Sequence, residues 1–220
     1  MKRISLSLLA SAATLALLLP AQAADLLIQQ PSMPGYIDMG GGGWDGAYIG
    51  GFVGYGWGTA TDDTSNLGLP SDELDASGWL IGANLGANFT VGSGLVLGAV
   101  GDIAWSGING YDAGSDVDLD INWMGSLRGR AGFDAGAFMP YLTGGLAIAG
   151  ATIDDSGDES TQMHFGWTGG AGVEVAVTDN LSIDLLYRYT DYGSATYALT
   201  PDSDVSLTTH TVSAGLNFKF

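Results

Sequence analysis

Seven ionisable residues stand at alternating positions of otherwise apolar segments: Asp102, Asp120, Arg128, Arg130, Glu174, Asp184 and Arg188. Charges of both signs set among Leu, Val, Ile and Trp must find partners, because an unpaired charge taken out of water is strongly unfavourable. The chemistry open to this set is mutual neutralisation or, where a water path threads it, passage of an ion or proton.

Other reactive groups are sparse. There is no Cys, which excludes disulfide frameworks and thiolate metal sites. His164 falls in a polar alternation set and His210 in an apolar one, so they do not form a pair. A lipid hydrolase or acyltransferase would need a His beside a Ser or an acid, and no G-x-S-x-G motif occurs. Asp116, Asp118 and Asp120 imitate the opening of a Ca²⁺ loop, but Ile121 occupies the position of the required Gly and Leu127 that of the bidentate Glu. We therefore expect no enzyme, no cofactor and no metal. The formal charge of −18 argues against a nucleic-acid partner.

The elements that must position these groups follow from periodicity. Apolar residues recur at every second position in Ala47 to Trp57, Trp79 to Phe89, Leu95 to Trp105, Leu119 to Phe133, Tyr141 to Ile148, Gln162 to Val177, Leu181 to Thr190 and Thr211 to Phe220, and period two specifies strand. In Leu119 to Phe133, for example, Leu119, Ile121, Trp123, Leu127 and Phe133 oppose Asp120, Asn122, Ser126, Arg128 and Arg130. Only 14% of residues are charged, against about 25% in a soluble domain.

Met1 to Ala23 reads as a secretory signal peptide: Lys2 and Arg3, an apolar run, then Ala21-Gln22-Ala23. Residues 24–43, rich in Gly and Pro, are expected to be a flexible periplasmic segment, and 44–220 the folded domain. A soluble β-sandwich would alternate too. The connections discriminate, because tight ones (Val91 to Gly94, Asp134 to Phe138, Thr178 to Asn180) alternate with long ones (Gly58 to Gly78, Gly107 to Asp118, Thr152 to Thr161, Asp191 to Val205). Trp57, Trp79, Trp105, Trp123 and Trp167 all fall on the apolar face toward the long-connection end, as an interfacial girdle would, with Phe89, Phe133, Phe218 and Phe220 at the other end. The pattern predicts an all-β fold: an eight-stranded antiparallel up-and-down transmembrane β-barrel with both termini periplasmic. So small a barrel has room inside only for side chains, so the seven charges should plug the lumen.

Trp44-Asp45-Gly46-Ala47-Tyr48-Ile49-Gly50 followed by Gly54-Tyr55-Gly56-Trp57-Gly58, Trp123 to Gly132 (WMGSLRGRAG), Pro140 to Gly145 (PYLTGG) and Leu185-Leu186-Tyr187-Arg188-Tyr189 resemble the alphaproteobacterial porin-family outer-membrane barrel domain. The ending Gly215-Leu216-Asn217-Phe218-Lys219-Phe220 is similar to the signal by which the insertion machinery recognises such barrels, carried by Gly215, Phe218 and Phe220. The resemblance covers Trp44 to Phe220. It implies the bacterial outer membrane, a role in envelope integrity and surface contact, and partners comprising outer-membrane lipid, lipopolysaccharide, the insertion machinery and host or envelope components met through the loops. Two alternatives stand beside it, a small-solute porin and a surface receptor for a ligand such as haem. Haem capture, known among members, would want exposed His or Tyr on loops, for which His210 and Tyr197 are the candidates. The loop acids, among them Asp62, Asp63, Asp72, Glu73, Asp75, Asp154, Asp155, Asp158 and Glu159, are expected to be solvated or to bridge to anionic lipid through divalent cations.

Overall fold

Alternation along each segment becomes eight strands because each finds a pairing partner on both sides. In the computed structural model, which describes residues 43–63, 73–112, 117–155, 158–197 and 203–220, these are β1 (Gly46–Asp62), β2 (Glu73–Val91), β3 (Leu95–Asp112), β4 (Val117–Phe133), β5 (Phe138–Asp155), β6 (Asp158–Ala176), β7 (Leu181–Tyr197) and β8 (Ser203–Lys219). The expected signal peptide, residues 24–42, Asp72 and Asp116 lie outside the described residues. Neighbours pair antiparallel in chain order, and β8 closes on β1. Closure leaves no strand edge, so backbone polar groups are satisfied without water.

The register fixes the tilt. Ala47 pairs with Ala87, which pairs with Ala99, and the row continues through Gly129, Gly144, Gly169, Tyr189 and His210 back to β1 at Trp57, ten residues from its start. A stagger of that size inclines eight strands by about 40° to the barrel axis.

The strands run further than the alternation of apolar residues suggests. Most of Gly58 to Gly78, Gly107 to Asp118, Thr152 to Thr161 and Asp191 to Val205, expected as long connections, is ladder. The reason is a reversal of polarity along each strand. Near the termini and tight turns the outside is apolar and the inside polar: Leu127, Leu142 and Leu146 are 64%, 66% and 70% exposed, whereas Arg128, Arg130, Glu174 and Arg188 are buried. Toward the loop end the inside is apolar, with Leu74, Ile108, Val117, Leu119, Ile121, Ile153, Tyr197, Val205 and Leu207 buried together, while Thr, Asp and Asn mostly face out, Asp62 being buried. The lower zone has the polarity of a membrane wall and the upper that of a water-soluble barrel. An apolar belt of this extent facing water would far exceed what a soluble monomer exposes.

In β4 the reversal is built by a bulge. Between Ile121 and Trp123 the chain carries one more residue than its partner β5, where Ala151 and Gly150 are consecutive. The extra residue inverts the phase. Leu119 and Ile121, expected on the outer face, are therefore buried inside, and Asp120, expected in the lumen, is exposed on the outer wall beside Asn109 and Thr152. A second irregularity between Asp191 and Ser194, with Gly193 at φ 63°, does the same in β7 and brings Tyr192 and Tyr197 both inside.

Candidate functional site

In the lower lumen β3, β4, β6 and β7 direct the remaining six charged residues inward. Asp102 is shared by two guanidiniums: Arg128 Nη2 donates to its Oδ2 at 2.6 Å and Arg188 Nη1 to its Oδ1 at 3.1 Å, with the Ser126 hydroxyl donating at 2.6 Å. Arg128 also reaches Thr143 of β5 at 3.3 Å. A second cluster lies beside it. Arg130 Nη2 donates to Glu174 at 2.8 Å and its Nη1 to the Tyr48 hydroxyl at 3.1 Å. Glu174 also accepts from Ser182 at 2.5 Å and Asn217 at 3.0 Å. The Arg130 guanidinium lies 3.9 Å from the centre of the Tyr141 ring, a cation–π contact, and the Tyr141 hydroxyl donates to Asp184 at 2.6 Å.

Asp102, Glu174 and Asp184 balance Arg128, Arg130 and Arg188 in sign, but not one to one. Asp102 holds two arginines, and Asp184 is held by a tyrosine. Tyr48 and Tyr141 lie on the inward alternation set, yet nothing in their spacing marks them as the links between charges; that depends on which strands face across the barrel. Among the cavities lined by the described residues here are two of about 20 Å³ each, one beside Arg188, Asn84 and Ser213 and one beside Glu174, Asn88 and Lys219. Each has the room of a single water molecule.

At the terminal end of the lumen Trp44 is buried in a cluster with Val96, Met139, Tyr141, Ala176 and Leu186 and donates to Asp134 at 3.2 Å. At the loop end it is filled by the apolar cluster, in which His164 is 1% exposed and shares a 2.7 Å hydrogen bond with the Tyr197 hydroxyl. Tyr197 is fully buried, so it is not the exposed loop group that haem capture was expected to want. His210, likewise expected near a loop, stands within β8 on the outer wall.

Outside, Trp79, Trp105 and Trp167 are 57%, 61% and 53% exposed at the boundary of the two zones. Trp57 is half-buried and stacks on His210. Trp79 lies over Gly107 and half-buried Trp123 over Gly150, where an added Cβ would strike the indole. These glycines let the rings lie flat on the wall, a fit invisible in either residue alone. At the other end Gly215 takes an inward position of β8, paired with Phe52 and Asp184, while on the outer face the Phe218 and Phe220 rings meet edge to face at 5.6 Å, 50% and 72% exposed.

Residues 10–220 match the family model described as outer membrane protein beta-barrel domain. The chain is 34% identical to the 25 kDa outer-membrane immunogenic protein of Brucella abortus biovar 1 (strain 9-941), over 222 residues that cover 100% of both chains. It is 34% identical to the 22 kDa outer membrane protein of Rhizobium leguminosarum bv. viciae, across 81% of this chain and 79% of that one. The crystal structure of Neisserial surface protein A superposes with a TM-score of 0.50 at 22% identity, covering 79% of this chain and 97% of the other, a likeness of fold.

Proposed function

This chain belongs to the outer membrane protein beta-barrel domain family and resides in the bacterial outer membrane, and we propose that it acts there as a closed, non-catalytic wall element that supports the envelope and presents a rigid surface outward. The observation that carries this reading is the lumen, occupied from end to end by Trp44, the six-charge network and the apolar cluster around His164 and Tyr197. A small-solute pore needs a continuous water path, and the charged zone leaves cavities of about 20 Å³ each. A haem receptor draws no support from Tyr197, which is buried, or from His210, whose Nδ1 is engaged by the Tyr187 hydroxyl at 2.8 Å. Several relatives are named outer-membrane immunogenic proteins, which suits exposure of the loop end to a host or to the surroundings. Outer-membrane lipid and lipopolysaccharide are the partners of the wall, and the insertion machinery that of the C-terminal strand.

The test is electrical. Purified folded barrel added to a planar bilayer should give no steady conductance steps; a stable open level that scales with salt concentration would refute the closed wall and favour the porin.

Removing Phe220 gives a separate expectation. Its ring is exposed and makes an edge contact only with Phe218 among the ring contacts of the described residues, so its loss should scarcely alter refolding in detergent. In cells it should lower the assembled, heat-modifiable fraction several-fold. Equal assembly with and without Phe220 would remove it from the recognition signal.

A further inference from the structure

We propose that the outer wall of β1, β7 and β8 is a binding site for a phosphorylated glycolipid of the outer leaflet, with His210 contacting the phosphate. The proposal rests on the outer-membrane placement and deepens the lipid partnership suggested above.

The register lays one continuous outward column across the three strands. From the loop end its rows are Thr61, Ser206 and Ser194; Thr59, Thr208 and Asp191; Trp57, His210 and Tyr189; Tyr55, Val212 and Tyr187; Val53, Ala214 and Leu185; and Gly51, Leu216 and Ile183. Hydroxyls and carboxylates thus give way to aromatic rings and then to aliphatic carbon. The lowest rows open into a groove of about 450 Å³ between Val53, Ile81, Ile183 and Leu216, because Gly51 and Ala214 supply almost no side chain there. Read outward from the hydrocarbon, the column matches the order of parts in a molecule that carries acyl chains, an interfacial phosphate and sugar.

His210 is the unusual member. Trp and Tyr are the ordinary residues of an interfacial belt, whereas an imidazole there is costly to desolvate. Its ring is held on three sides, stacked on Trp57 at 5.7 Å with planes 8° apart, edge-on to Tyr189 at 5.1 Å, and hydrogen-bonded through Nδ1 to the Tyr187 hydroxyl. When that hydroxyl donates, the proton of the neutral ring sits on Nε2, leaving Nε2–H as a fixed donor. Charge on the rest of the outside sharpens the assignment. Among the described residues the three arginines point inward and Lys219 is bonded to the Gly43 carbonyl at the terminal end, so His210 is the outward group at this level that can carry positive charge. On the His210 side Asp63 accepts from Ser194 and Ser206 (3.2 and 2.5 Å), Asp204 from Thr196 (2.6 Å) and Asp191 from the Gly193 N–H (2.9 Å). Carboxylates already set among hydroxyls are suited to bind sugar hydroxyls.

The experiment places folded barrel in nanodiscs of phosphatidylglycerol doped with purified lipid A, or with lipid A from which the phosphates have been removed, and reads retained lipid by native mass spectrometry. Wild type should retain lipid A about tenfold over phosphatidylglycerol, the scale of one hydrogen bond to a charged group, and should lose that preference with dephosphorylated lipid A. His210→Phe, which keeps a ring for Trp57 to stack on, should abolish the phosphate dependence. Ala214→Leu, which fills the groove, should weaken retention of both forms. Heat-modifiable migration shows that each variant is folded. Equal retention of lipid A and phosphatidylglycerol by wild type, or an unchanged phosphate dependence in His210→Phe, would overturn the site. Neither result bears on conductance, by which the closed-wall reading stands or falls separately.

Discussion

Asp102→Asn should destabilise the folded barrel by about 3 to 5 kcal/mol, the cost of breaking a buried ion pair from one side. One carboxylate serves two guanidiniums here, and all three side chains are nearly inaccessible to solvent (2% to 6% exposed). Asparagine keeps the volume but turns an uncharged amide toward Arg128 and Arg188, leaving two positive charges facing each other in a lumen with room for single waters. Arg188→Ala should cost less, about 1 to 3 kcal/mol, because Asp102 retains Arg128 and Ser126. Urea unfolding in micelles, followed by tryptophan fluorescence, gives the comparison. Coincident midpoints for Asp102→Asn and the parent barrel would show that the lumen charges do not depend on one another.

Gly145→Ala should prevent most of the chain from reaching the heat-resistant folded form, while Gly144→Ala beside it should change stability little. The two glycines are neighbours on β5 but face opposite ways. A Cβ on Gly144 would meet the Thr168 carbonyl at 3.5 Å, an ordinary contact on the outer wall. A Cβ on Gly145 would run into the Leu127 carbonyl and lie 2.7 Å from Arg128 Cα, so the β4 backbone itself would have to retreat. Overpacking a core typically costs about 1 to 3 kcal/mol, occasionally more, and this case belongs at the upper end because Arg128 hangs from the displaced backbone. Gel migration before and after boiling reports the folded fraction. If both substitutions left it untouched, β4 and β5 would have to be looser beside Arg128 than the register states.

The contrast between these glycines shows where sequence reading loses its grip. Composition names both, and alternation assigns their faces, yet the lethal contact belongs to a neighbouring strand. The same holds for the lumen. The inward placement of Asp102, Arg128, Arg130, Glu174, Asp184 and Arg188 follows from alternation within single strands, and so does the outward placement of the five tryptophans. Asp120 departs from the alternation because the phase breaks at the bulge after Ile121, which is set by pairing with β5. The strands outrun their apolar alternation for a related reason. Acids and threonines suggest loop, whereas above the girdle most of them form the outer face of strands whose apolar residues point in. Trp44 was legible as the start of the domain but not as a lid, since nothing local says that its ring turns back into the lumen.

The number of strands, their polarity near the tight turns, the aromatic boundary and the excess of one apolar face that demands a membrane are all written in the residue pattern. All of these are local properties of a period-two chain. Which charges meet, where the phase inverts, how far the strands rise beyond the girdle and which side chains turn into the lumen are settled by closure of the barrel. Each depends on a ten-residue stagger accumulated around eight strands, and a stagger exists only once the last strand has paired with the first.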